Sequence, residues 1–140
     1  MADRHPMLGR LYRVWLARRE GAAMPQAEAI TRRLADLDDV IVLIRRPAES
    51  DGMLRIERSG KVVDRLYGTA LVGEPVGRLT PSREDADNEA AIVLASGRTL
   101  MMEDQVQLRD GPARIARLYL PFADANGRTG GIVVGIAKVS

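Results

Sequence analysis

From Leu100 to Val139 the chain repeats one pattern three times, an apolar-rich segment of strand length followed by a turn signal or the chain end. Leu100–Arg109 runs into Asp110-Gly111, a pair favoured in tight hairpin turns. A second segment starts at Ala113 and carries Ile115, Leu118 and Leu120 to Phe122, and Asp124-Ala-Asn-Gly127 follows it. Ile132–Val139 completes the set. Segments joined this way are antiparallel neighbours, so the last third of the chain reads as a three-stranded meander.

The segments before the meander alternate between helix and strand. Leu8, Leu11, Tyr12, Trp15 and Leu16 share one helical face, while Arg10, Arg13, Arg18, Arg19 and Glu20 fall mostly on the other. Pro6 suits a first turn and Gly21 a stop, so the spacing predicts an amphipathic helix over Met7–Glu20. A shorter helical stretch runs from Pro25 to Leu34. Val40–Ile44 reads as a buried strand, Glu49–Gly52 as a turn, and Met53–Arg58 as a second strand, antiparallel to the first. Val62, Val63, Leu66 and Tyr67 have helical spacing, and Gly68, Gly73, Pro75 and Gly77 then break the chain into short helices and loops. Thr80-Pro81 opens a longer helix to Ser96, with Ala86, Ala90, Val93 and Leu94 inward. All 140 residues therefore read as one α+β domain. It has a flanking helix over 1–21 and a core over 40–139, a five-stranded antiparallel sheet with inserted helices.

Residue usage narrows the chemistry. With no cysteine, thiol catalysis, thiolate metal sites and cysteinyl-flavin photochemistry are excluded. The single histidine is His5, outside the expected core, which disfavours haem, histidine metal sites and a Ser–His–Asp triad. No catalytic residue set and no metal site emerges, so the expectation is a non-enzyme. Asp36, Asp38 and Asp39 lack the glycine and distal glutamate of a calcium loop and read as a solvated turn. Glu84, Asp85, Asp87 and Glu89 suit the positive end of a helix dipole. The N-terminus has no apolar signal core, and the apolar run Val40–Ile44 is far short of the ~20 residues of a membrane helix, which makes the cytoplasm the default.

The basic residues are 19 arginines and only two lysines, Lys61 and Lys138, and the net charge is +2. Arg10, Arg13, Arg18, Arg19, Arg32 and Arg33 cluster near the N-terminus. Aromatics make up only 4% of residues and acidic residues are interspersed, which argues against nucleic acid. An anionic nucleotide remains an alternative partner for that cluster.

Leu8 to Gly21, with its Leu11-Tyr12-x-x-Trp15 core and the following Met24-Pro25, resembles the opening of a bacterial family of stand-alone PAS-like proteins. Arg55 to Gly60 is similar to that family's Arg-x-x-x-x-Gly stretch. Tyr119-Leu-Pro-Phe122, the loop Ala123–Gly130 and Gly131–Ala137 resemble its C-terminal end. The likeness spans roughly Leu8 to Val139. The chain departs from it at Lys61, where members carry Thr, a change that bears on ligand choice if the side chain points inward.

The resemblance implies a PAS fold and a sensory or regulatory role in bacterial signalling. It implies a small-molecule pocket between the sheet's inner face and the inserted helices, lined by Leu66, Tyr67, Val93, Met102, Leu118, Leu120 and Val134. The same residues can equally fill a dry core, giving a ligand-free adaptor. Leu8, Leu11, Tyr12 and Trp15 form either a homodimer seam or a cap on their own sheet; the homodimer is the expectation. Output would pass through a partner protein such as a histidine kinase.

Overall fold

Helix α1 spans Pro6–Arg18, a 3-10 turn lies at Asp38–Val40, and strand β1 follows it at Ile41–Arg45. Strand β2, Ile56–Ser59, leads directly into helix α2, Lys61–Tyr67. A second 3-10 turn, Val76–Leu79, precedes helix α3 at Arg83–Ser96. Strands β3 (Leu100–Leu108), β4 (Gly111–Ala123) and β5 (Thr129–Val139) finish the chain. This computed structural model describes residues 6–18, 37–45, 54–80, 83–108, 110–124 and 127–139. The helix expected over Pro25–Leu34 and the turn Glu49–Gly52 lie outside the described residues.

The strands form one antiparallel sheet in the order β2-β1-β5-β4-β3. The meander is β3-β4-β5, as its turns predict, and β5 returns to the centre to pair with β1. Hairpin β1-β2 matches the expected pairing, although β2 runs over Ile56–Ser59, Leu54 lies outside it, and Met53 lies outside the described residues; Arg55 forms only an isolated bridge, to Pro75. A bulge between Leu43 and Ile44 places Glu57 beside Arg45, and the two side chains bond at 2.9 Å.

Both faces of the sheet are buried, which divides the core in two. On the inner face Val42, Ile44, Ile56, Ile115, Tyr119, Ile132 and Val134 pack against Val63, Leu71, Val76, Leu79, Ala86, Ala90 and Val93. On the outer face Ile41, Leu43, Ala116, Leu118, Leu120, Phe122 and Val133 pack under Leu8, Leu11 and Trp15 of α1. Successive strand residues alternate between the two faces, so a strand buried on both sides is apolar nearly throughout.

The α2 segment is anchored by one carboxylate. Asp64 Oδ1 accepts hydrogen bonds from the Ser59 hydroxyl at 2.6 Å and from the Leu71 amide at 3.1 Å. That ties the end of β2 to the loop beyond α2 and holds α2 over the sheet.

Candidate functional site

A buried arginine stands on the inner face, on β4 beside the edge strand β3. In β4 the residues Ile115, Arg117 and Tyr119 share the inward parity, and Arg117 is fully buried. Glu89 on α3 sits between the inward positions Ala86, Ala90 and Val93. Asp104 on β3 holds the same parity as Met102 and Val106. Three separate elements thus aim charged side chains at one point.

Their geometry is closely specified. Arg117 donates to Asp104 through Nη1 at 2.7 Å and Nη2 at 3.0 Å, a two-pronged bond to both carboxylate oxygens. Nη2 also donates to Glu89 Oε1 at 3.1 Å, and Nε donates to the Tyr119 hydroxyl at 3.2 Å. That hydroxyl donates in turn to Glu89 Oε1 at 2.6 Å, closing a ring of bonds. Among the described residues, no buried side-chain nitrogen or oxygen lacks a partner. Such completeness is what a charged group needs inside an apolar core, since an unpaired one costs several kcal/mol.

The electrostatics follow from that packing. Burial alone would lower the pKa of Arg117, but its bonds to Asp104 and Tyr119 and the charge of Glu89 outweigh it and hold the group above its ordinary value. Burial raises the Tyr119 phenol well above its ordinary value; Arg117 opposes the rise and the bond to Glu89 adds to it. Tyr67, whose hydroxyl donates to the Leu79 carbonyl at 2.8 Å, is raised to about 12, first by burial, with Arg117 and Arg78 opposing and Asp104 reinforcing. Two carboxyl groups face one guanidinium, and Asp104, at 34% side-chain exposure against 9% for Glu89, is the one that meets water.

The expected pocket residues divide between the two faces. Val93 and Val134 are buried on the inner side, with Leu66, Tyr67 and Met102 partly buried against them. Leu118 and Leu120 belong instead to the outer face, under α1. The correction has a simple cause: they alternate with Arg117 and Tyr119, and in a strand apolar on both sides composition does not say which parity points which way. Glu89 also departs from expectation, for it pairs with Arg117 in the core instead of serving only the helix dipole. Lys61 is exposed and does not point inward.

The stripe expected as a homodimer seam is covered by its own chain. Leu8, Leu11 and Trp15 are buried on the outer face, with Tyr12 half-buried and stacked on Trp15 at 6.3 Å between ring centres. Of the arginine cluster, Arg10 and Arg13 are exposed on α1, whereas Arg19, Arg32 and Arg33 and the side chain of Arg18 lie outside the described residues. A shallow recess on the outer side, bordered by Asp38, Ile41, Leu43, Arg58, Ser59 and Gly60, contains none of the expected pocket residues. Among the described residues no group of His, Asp or Glu could hold a metal ion, and no helix is long and apolar enough to cross a membrane.

No protein-family profile matches the chain, and no curated protein matches it either. Solved structures do resemble it. The PAS domain of a protein from Colwellia psychrerythraea is 19% identical with a TM-score of 0.58, over 79% of this chain and 97% of that one. A light-oxygen-voltage domain studied with a flavin analogue is 19% identical with a TM-score of 0.63, over 80% and 85%. The PAS domain of Bordetella pertussis BvgS is 13% identical with a TM-score of 0.58, over 81% and 88%. At such identities the likeness is one of fold: this chain has the α+β PAS fold.

Proposed function

We propose that this chain is a sensory or regulatory module akin to the stand-alone bacterial PAS-like proteins. It binds a small molecule at the inner face of its sheet and passes the signal to a partner protein such as a histidine kinase, without catalysis of its own. The supporting observation is the position of Arg117. A fold that needed only stability would gain nothing certain from a buried charge, because replacing such clusters with apolar residues is often neutral or stabilising. Charged groups retained inside the sheet's inner face are therefore candidates for recognition. The two structural neighbours described as PAS domains and the light-oxygen-voltage domain share the architecture on which this reading rests.

A second reading, the ligand-free adaptor, draws on the mutual satisfaction of the same cluster: its polar atoms already have partners. Native mass spectrometry of freshly purified protein, compared with the denatured sample, separates the two. A non-covalent adduct lost on denaturation supports the sensor; a clean mass at every stage supports the adaptor. The native spectrum also counts subunits, which tests the expected homodimer now that the α1 stripe is known to be covered from within.

A further inference from the structure

We propose that Asp104 is a built-in stand-in for the ligand, and that the inner-face site takes a small organic carboxylate, which displaces Asp104 from the guanidinium of Arg117. The inference rests on the ligand-binding reading above and gives it a chemical class.

The two carboxyl groups on Arg117 are held very differently. Glu89 is buried and also accepts from Tyr119, so it is locked from two sides. Asp104 lies on β3, an edge strand, with a third of its side chain in water, and among the described residues its side chain bonds only to Arg117. Its two-pronged contact is the geometry in which a guanidinium recognises a carboxylate. Arg117, fully buried on β4, is also held by Glu89 and Tyr119, bonds that do not involve Asp104.

Charge selects the guest. Moving Asp104 into water and bringing in a carboxylate leaves the buried charge unchanged. A neutral guest would leave the guanidinium half-partnered, and a cation would meet it head-on. The surroundings agree. Exposed Arg78 precedes Leu79, whose carbonyl accepts from the Tyr67 hydroxyl, and so adds positive charge on the Tyr67 side of the site. Leu66, Tyr67 and Met102 are partly buried against the same inner face and offer apolar contact for a carbon skeleton. Displacement would free the side chain of an edge strand, a change that a partner protein could read.

An intramolecular competitor reduces the apparent affinity for an external one to the fraction of time it leaves the site open. The test uses acetate as probe, with chloride at matched ionic strength as control, on the wild type, Asp104→Ala, Asp104→Asn and the Asp104→Ala/Arg117→Met double variant. The Asn variant keeps the shape if the Ala variant folds poorly. Acetate is expected to bind the Asp104 variants at least about tenfold more tightly than wild type and to raise their unfolding midpoints, with no response once Arg117 is gone. Equal acetate response in folded wild-type and Asp104-variant protein would overturn the proposal. A native adduct that persists in Arg117→Met would also overturn it while leaving the ligand-binding reading intact. Acetate rescue without any native adduct would support the carboxylate site and count against a ligand retained from the cell.

Discussion

Trp15 Nε1 donates a 2.6 Å hydrogen bond to the carbonyl oxygen of Pro121, joining residues 106 positions apart. The indole fills the outer-face core while its one polar atom is satisfied by the strand it covers, so the bond fixes where α1 lies on the sheet. Trp15→Phe should lose about 1–3 kcal/mol, mainly from a carbonyl left unpaired, and Trp15→Ala about 3–5 kcal/mol. Urea unfolding measures both. Because Trp15 is the only tryptophan, its fluorescence in the wild type reports directly on α1 leaving the sheet.

Arg117→Met should destabilise the domain by about 3–5 kcal/mol, because it strands Glu89 and its neighbour Asp104 beside an apolar side chain. Adding Glu89→Gln and Asp104→Asn should recover a large part of that loss. A triple variant no more stable than Arg117→Met alone would show that the guanidinium's packing, and not its charge, matters most.

Two glycines of β5 predict different costs. A Cβ on Gly135 would stand 2.5 Å from Leu11 Cδ2 and 2.8 Å from Leu8 Cδ2, the movable ends of α1 side chains. A Cβ on Gly131 would strike the Ile44 carbonyl and the Phe122 ring, which the sheet holds in place. Gly135→Ala should therefore cost about 1–3 kcal/mol by overpacking, and Gly131→Ala should cost more. Thermal unfolding of the pair decides the order.

Tyr67 and Tyr119 set an alkaline limit. Both phenols have folded pKa values above the unfolded value of 10.0, with Tyr67 at about 12. A raised pKa on a group that is neutral when protonated gives stability that is fully present below the unfolded pKa and lost as pH rises toward the folded one. The unfolding midpoint should hold up to about pH 9 and fall between about pH 10 and 12. Tyr67→Phe should flatten part of that fall. A midpoint independent of pH over that window would contradict the burial of both hydroxyls.

Much of the fold was legible because its signals are local. The turn signals Asp110-Gly111 and Asp124–Gly127 mark the meander, and the Leu8–Trp15 spacing marks α1. Thr80-Pro81 announces α3, whose first helical residue is Arg83. The boundary of β2 was less legible, since Leu54 and Ile56 share a parity but only Ile56 enters the ladder. The site was only partly written: Glu89, Asp104 and Arg117 each interrupt an apolar periodicity, but both parities of β4 are apolar, so which of them faces inward was not legible. A charge on an apolar parity was the signal, and only the joint occurrence in three elements gives it meaning.

The sequence by itself determined the order of the described elements and the antiparallel plan, because these depend on local spacing and residue type. Tertiary structure alone decided which face of β4 turns toward the inserted helices, which sent Leu118 and Leu120 to the outer core and Arg117 to the inner one. It also decided that α1 covers its own sheet, and that carboxyl groups 13 and 28 residues from Arg117 meet on its guanidinium. A doubly buried strand is apolar on both parities, so its orientation is set by what packs on each side, and that is a property of the assembled layers.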